Sequence, residues 1–324
     1  MSRRHEQLGR VERIAKVIAR AGLASRRQAE VWIEGGRVTV NGQVIASPAL
    51  NVTAKDVVAV DGQPLPPRER TRLFLYHKPR GLVTTHADPA GRPTIFAALP
   101  PDLPRLISVG RLDIDTEGLL LLTNDGGLAR ILELPATGWL RRYRVRAHGQ
   151  VRQDQLDRLR GGITIDGMRY GPIDAALDRV QGSNLWLTFA IREGKNREVK
   201  SVLGSLGLAV NRLIRVSFGP FQLGELSAGA IEEVRTRALR AQIGERAAAA
   251  AGIDFAGPIV PRPVVQPPAT HGRPEAPTKR AAKGGAGGRS RGDRRRGELE
   301  HIGEPERARR EQRRRRTRAR HRPR

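Results

Sequence analysis

The chain has no cysteine among its 324 residues, which excludes disulfides, thiol nucleophiles and cysteine-ligated metals. Its seven histidines (His5, His77, His86, His148, His271, His301 and His321) show no metal-ligand spacing, so no metal site is expected. Aromatic residues make up 4% and hydrophobic residues 38%, enough to bury a core in part of the chain but thin for all of it. No stretch approaches the roughly 20 apolar residues of a membrane span. Met1 to Arg20 carries basic residues without the apolar segment of a secretion signal. These absences read as a cytoplasmic protein with no membrane partner.

What is abundant is positive charge. Lysine and arginine number 59 against 33 acidic residues, a formal charge of +26. That excess implies a large anionic partner, nucleic acid first, because phosphate contacts by Lys and Arg release condensed counterions. About half of the net charge lies beyond Pro267, in runs such as Arg294-Arg295-Arg296 and Arg313-Arg314-Arg315-Arg316. From residue 252 onward the chain repeats Pro, Gly and Arg with no apolar period, and 252–324 is predicted to be a disordered basic tail suited to nonspecific RNA attachment.

Upstream, the apolar pattern separates two folded parts. Val11, Ile14, Val17 and Ile18 recur at helical spacing up to Gly22, and Ser25 stands where an N-cap belongs before a second helix ending at Gly35-Gly36. Strands flank an Asn41-Gly42 turn, and Val57 to Val60 adds another strand. Pro64, Pro66 and Pro67 mark a linker at 63–71. Strands are predicted at Leu73–Tyr76, Leu82–Thr85, Tyr143–Ala147, Leu185–Ile191, Leu213–Val216 and Phe221–Leu223. Helices are predicted at Thr94–Leu99, Val151–Leu159, Val199–Leu206 and about Ala230–Ala251, giving an α+β part over 72–251.

The run GRLDIDTEGLLLLTNDG, Gly110 to Gly126, sets acidic side chains in a glycine-bounded turn inside a basic protein, and its leucines read as a helix start. An Asp there, beside Arg111, would be ionised and positioned. From residue types alone, however, Asp113, Asp115, Glu117 and Asp125 serve equally as caps or turn residues, and nothing ranks them.

The segment VGRLDIDTEGLLLLTNDG closely resembles the catalytic motif of the pseudouridine synthases, in particular the RsuA/RluB/RluE/RluF group that modifies bacterial ribosomal RNA. HKPRGLVTT (77–85), RRYRVRAHG (141–149), REGKNREVKSVLGSLG (192–207) and LIRVSFGPFQLGELSAG (213–229) agree with that group in order. Residues 11–62, with GLASRRQAEVWIEGGRVTVNGQVI at their centre, resemble the S4 RNA-binding module. The resemblance spans about 11–245. It implies an S4-like domain followed by a synthase domain built on a mixed, mostly antiparallel sheet with flanking helices. The extended basic tail looks more like the RluB branch, which acts on large-subunit RNA, than like the compact small-subunit enzyme.

The resemblance further implies that Asp113 is the essential aspartate, which attacks ribose C1′ or otherwise promotes glycosidic cleavage of a flipped uridine. Tyr143 then stacks on the uracil and moves a proton. By itself it reads first as a core tyrosine whose hydroxyl caps a neighbouring carbonyl. Lys195 matches the basic residue that pairs with the catalytic aspartate, although alone it reads as a loop lysine or phosphate contact. Position 198 is Glu where related proteins often have Gln. Arg111 either binds phosphate or pairs with Asp115 or Glu117, and Lys78-Pro79 and Gly81 read as fold-defining turn residues. Arg13, Lys16, Arg26, Arg27 and Arg37 of the S4-like domain, with Arg197 and Lys200, are the remaining candidate RNA contacts. The implied enzyme needs no metal or small-molecule cofactor, acts as a monomer, and has ribosomal RNA or a pre-ribosomal particle as its partner. A small-subunit (16S) rRNA pseudouridine synthase, a non-enzymatic S4-type ribosome-assembly factor and a DNA-compacting protein driven by the tail are the alternatives.

Overall fold

The computed structural model describes residues 11–260. The predicted disorder of 261–324 therefore lies outside the described residues.

The first module runs β1 (Glu12–Arg13), α1 (Ile14–Arg20), α2 (Arg26–Glu34), β2 (Val38–Val40), β3 (Gln43–Val44), β4 (Asn51–Val52), β5 (Val58–Val60) and β6 (Gln63–Pro64). Ser25 caps α2 through the Gln28 amide, as its side chain and position require. Apolar residues at helical spacing, Ile14, Ile18, Ala29 and Ile33, bury against Val38, Val52 and Val58. Asn41 and Gly42 both take positive φ, 51° and 82°, the geometry a two-residue hairpin turn needs, and Asp61-Gly62 repeats it between β5 and β6.

The second module contains β7 (Leu73–Lys78), β8 (Ile107–Ser108), β9 (Thr116–Thr123), α3 (Gly126–Glu133), β10 (Arg141–His148), α4 (Gln153–Asp157), β11 (Ile163–Ile165), β12 (Met168–Tyr170), β13 (Ile173–Gln181) and β14 (Asn184–Ile191). It continues with α5 (Glu198–Ser205), β15 (Ala209–Phe218), β16 (Phe221–Gln222), β17 (Ile231–Glu233), α6 (Thr236–Ile243) and α7 (Glu245–Ala251). Its nine-stranded sheet has the order β13-β14-β10-β15-β9-β7-β17, with β16 on β15 and β8 on β9. Only the β15–β9 pairing is parallel, so the sheet is mixed and mostly antiparallel, as expected.

The two faces of this sheet differ. On one, β10 and β14 pack Val145, Leu187 and Phe189 against Val199, Val202 and Leu203 of α5. The same face buries Leu119 and Leu121 against α3, α6 and α7. On the other, Phe74, Tyr76, Leu120 and Leu122 are covered by the loop between β7 and β9, through Ile95, Leu106 and Leu112.

Several expectations are corrected. The leucine run after Asp113 is strand β9, buried on both faces, which a helical reading of a continuous apolar run misses. Leu82–Thr85 forms only an isolated bridge, Val83 with Thr94. The stretch from Ala230 opens with β17 before breaking into α6 and α7 at Gly244, which has φ 77°. Nor does the fold end at Ala251. Ile253 and Phe255 pack on the core, and the carbonyls of Asp254 and Pro258 accept the amides of Thr71 and Arg70 at 2.6 and 3.0 Å. The segment 63–71, expected as a linker, is correspondingly ordered: it supplies β6, and Thr71 is buried with its hydroxyl on Asp125.

Candidate active site

The four acidic residues of the Gly110–Gly126 run separate by environment. Asp125 is a cap: its carboxylate accepts from the Gly127 and Leu128 amides at the start of α3, and from Arg68 and Thr71 at 2.8 Å each. Glu117 makes a two-bonded pair with Arg212, at 3.0 and 2.9 Å. Asp115 is exposed, 4.0 Å from Arg80. Asp113 is half-buried, and its carboxylate has neither an ion pair nor a side-chain hydrogen bond among the described residues. Of the four, it is the one free to meet a ligand.

The turn that presents Asp113 is fastened from beneath. Its own carbonyl accepts the Thr116 amide at 3.0 Å, and Gly81, with φ 85°, donates to the Ile114 carbonyl at 2.8 Å. Lys78, the last residue of β7, is fully buried, and its Nζ donates to the carbonyls of Pro79, Ile114 and Thr116 at 3.0, 3.3 and 3.0 Å. Burial lowers the Lys78 pKa to about 8, against the pull of Asp115, Asp113 and Glu117, so at neutral pH this is an ammonium beneath the acidic turn. Lys78 is thus the turn-defining residue expected, and its role is specific: the ammonium donates to three carbonyls at the turn.

Gly118 aligns this turn with the neighbouring strand. A Cβ there would sit 2.3 Å from the Arg215 carbonyl oxygen, and φ is +100°. Glycine therefore permits the parallel pairing of Thr116–Gly118 with Leu213–Arg215. It also shifts the strand's alternation. Thr116 pairs with Leu213 of the α5-side cluster, and Leu119, three residues on, faces the helices too.

Tyr143 lies opposite Arg215 on β10, and Arg215 lies opposite Gly118 on β9. Tyr143 is therefore two strands, about 10 Å, from Gly118. It is 7% exposed, and its hydroxyl makes no hydrogen bond among the described residues, so it does not cap a carbonyl. Arg141, two residues before it, interacts electrostatically with Tyr143, Arg215 and Glu198. Arg141 donates to the carbonyls of Trp139, Arg192 and Glu193, and burial lowers its pKa. Arg215, 3% exposed, donates to the Leu119 carbonyl at 2.7 Å and stacks over Phe218, leaving its Nη2 without a partner. Sequence reasoning passes over both arginines. The available signal is arginine at inward positions of strands whose alternate residues, Tyr143 and Val145 or Leu213, are buried.

The expected Lys195–Asp113 pair is not formed. Lys195 Nζ is 2.6 Å from Glu193, donates to the Arg169 carbonyl at 2.5 Å and sits over Tyr170. Lys78, by contrast, feels the Asp113 carboxylate. Glu198 accepts the Lys195 amide with one oxygen at 3.0 Å and buries the other without a partner, and desolvation raises its pKa. Arg111 and Arg197 are exposed and make no ion pair among the described residues, which leaves Arg111 free for phosphate because Asp115 and Glu117 are engaged elsewhere. Lys200 is half-buried on α5.

In the first module a depression of about 570 Å³ is lined by Arg13, Lys16 and Arg26 with Glu12, Glu30 and Asn51. Lys16 and Arg20 both bond Glu12. Arg27 is exposed on α2. Arg37 lies apart from that depression, stacked on Trp32 and paired with Asp61, so its charge is partly spent. Among the described residues no His/Asp/Glu cluster has the form of a metal site, and no helix is long and apolar enough to cross a membrane.

Known proteins resemble this arrangement closely. Residues 12–58 match the S4 domain and residues 72–205 the RNA pseudouridylate synthase family. An RNA pseudouridine synthase of Rickettsia prowazekii is 43% identical over 231 residues, covering 71% of this chain and 97% of that one. The ribosomal large subunit pseudouridine synthase B of Pseudomonas aeruginosa is 41% identical over 287 residues, 84% of this chain and 74% of its relative. That of Haemophilus influenzae is 40% identical over 230 residues, 69% and 64% of the two chains. With an S4 domain ahead of a synthase domain, and relatives more than 40% identical over most of their length, the chain belongs to the RNA pseudouridine synthase family.

Proposed function

We propose that this protein isomerises a specific uridine of large-subunit ribosomal RNA to pseudouridine, with Asp113 as the catalytic aspartate. The observation that carries the reading is the Asp113 carboxylate, unpaired among the described residues on a turn that a buried ammonium holds in place. The relatives of this chain named for the large ribosomal subunit favour that RNA over the small-subunit one.

The reaction breaks the bond from N1 of uracil to ribose C1′, rotates the base and joins C5 to C1′. The proton lost from C5 is balanced by one gained at N1, and no redox step is needed. An ionised Asp113 acts at C1′ as nucleophile or by stabilising positive charge there, roles a neutral acid fills poorly. The target nucleotide leaves its stack to reach the turn, at a cost of a few kcal/mol that is smallest in a loop or bulge. Tyr143, whose hydroxyl has no partner among the described residues, supplies a stacking face and a proton-transfer group. Arg111, Arg197 and Lys200, with Arg13, Lys16, Arg26 and Arg27 of the S4 domain, offset the cost through phosphate contacts. The protein acts in the cytoplasm as a monomer.

Asp113→Asn tests the assignment. Primer extension after carbodiimide treatment should show one modified uridine formed by the parent protein and none by the variant, with RNA affinity within about twofold because no phosphate contact changes. Normal turnover by the variant would reject Asp113 as the reacting group. Intact rRNA modification in a deletion strain with disturbed ribosome assembly would instead favour an assembly factor.

A further inference from the structure

We propose that Arg142, Arg144 and Arg146 of β10, with Trp186 and Arg179 beside them, form a track for the RNA backbone on the face of the catalytic sheet opposite α5. The inference rests on RNA being the substrate and identifies the surface that guides it.

Strand alternation sets the three arginines on one side of β10 while Tyr143, Val145 and Ala147 bury against α5 on the other. Arg141 pairs in register with Phe218 and sits over its ring. Phe218 belongs to the cluster beneath α3, α6 and α7, so all these helices share one face. Arg142, Arg144 and Arg146 therefore project from the opposite face, where Leu112, next to Asp113, packs on Leu120 and Leu122. The two regions are joined by Arg212, which lies in register with Arg146 and is bonded to Glu117, four residues after Asp113.

All three arginines are exposed, and none has an ion pair among the described residues. Some exposed arginines elsewhere are neutralised, as in Arg37–Asp61, Arg92–Asp88, Arg152–Asp154 and Arg240–Glu245. The acids nearest the track are otherwise occupied. Glu117 is held by Arg212, Asp178 accepts from Thr188, and Asp174 lies on the edge strand β13, 4.0 Å from Arg160. Alternate side chains on a strand recur about every 6.5 Å, a repeat suited to successive phosphates of one extended strand. Half-buried Trp186, in register with Arg146 and Arg179 and covered by Arg144 at 5.1 Å, adds a ring on which a base can stack. A row of unpaired cations with an aromatic between them fits a nucleic-acid backbone rather than an ordinary solvated face, which mixes both signs of charge.

The test replaces Arg142, Arg144 and Arg146 together by Gln in the full chain and uses an in vitro transcript of 23S ribosomal RNA. Loss of three phosphate contacts should weaken binding about tenfold or more at physiological salt and make the slope of log affinity against log salt shallower by about 2. Turnover at saturating transcript should stay unchanged, since neither Asp113 nor Tyr143 is touched. Unaltered affinity and slope would overturn the proposal. A second measurement uses the unmutated protein: phenylglyoxal should modify these arginines less when transcript is bound, while Arg158 and Arg160 are modified equally with and without it. Equal modification of the track in both states would also overturn it. Both readouts are independent of turnover. A protein that binds transcript through the track but forms no pseudouridine would sink the proposed activity alone.

Discussion

Replacing Lys78 by Met tests whether the Asp113 turn depends on the ammonium beneath it. Three charge-assisted bonds to carbonyls are lost, each worth about 1.5–3 kcal/mol when the partners stay buried. Against this, removing the charge recovers the cost of burying it. The fall of the Lys78 pKa from 10.5 to about 8 corresponds to about 3 kcal/mol. The net expectation is a destabilisation of about 1.5–6 kcal/mol by urea unfolding. Turnover should fall as well, because a shift of about 1 Å in a reacting group costs on the order of a hundredfold. RNA affinity should hold, since Lys78 is buried and touches no phosphate.

The pH dependence sharpens the test. The folded protein releases the Lys78 proton near pH 8 and the unfolded chain near 10.5, so between these values the unfolded chain binds more protons. This group's contribution to stability therefore rises with pH across that window. Over the same range the amine loses one donor and its charge, and the turn loosens. Single-turnover rates should fall above about pH 8 with no matching fall in Tm from this residue, and Lys78→Met should lack that limb. A Lys78→Met protein that isomerises uridine at the parental rate would refute the account of how Asp113 is held.

Gly118→Ala should cost about 2–4 kcal/mol, because a methyl group would meet the Arg215 carbonyl and φ +100° disfavours any Cβ; an unchanged Tm would contradict the close approach of β9 and β15. Glu198→Gln should stabilise the protein at neutral pH, since one oxygen of a buried carboxylate lacks a partner and Gln keeps an acceptor for the Lys195 amide. With the Glu198 pKa raised by burial, its favourable contribution is complete below about pH 4 and is lost as pH rises through the folded value, so the gain from Gln should vanish in acid. A gain of the same size at all pH values would exclude that origin.

Much of the first module is legible in the sequence because local rules and packing agree there. Ser25 caps, Asn41-Gly42 turns, and the apolar spacing of α1 and α2 marks what is buried. The catalytic sheet is less legible where tertiary burial overrides local pattern. Leu119 to Leu122 are buried on both faces, so they lack the period-2 signal of a half-buried strand and read as helix. Ile253 and Phe255 give no signal because two apolar residues in a Gly- and Pro-rich stretch carry no period. Their order comes from the backbone of residues 68–71, 180 or more positions away in sequence.

At the site, residue type alone leaves four acids tied, and what separates them is the identity of their partners. Arg68 and Thr71 come from the segment joining the modules, Arg212 from β15 and Arg80 from the loop after β7. None of these pairings has a sequence signature, because each depends on strand order. Family resemblance chooses Asp113, and of the four acids its carboxylate is the one with neither an ion pair nor a side-chain hydrogen bond among the described residues. The same logic moves Lys195 out of the pair it was expected to make: a flexible ammonium takes the nearest acid, and Glu193 is two residues away. Lys78 instead lies across from Gly118 at the end of β7, and that register delivers its ammonium under the turn. Asp113 is thus presented by backbone held at both ends of the turn, an arrangement that sequence spacing could not reveal and that a single methyl group at residue 118 should be enough to disturb.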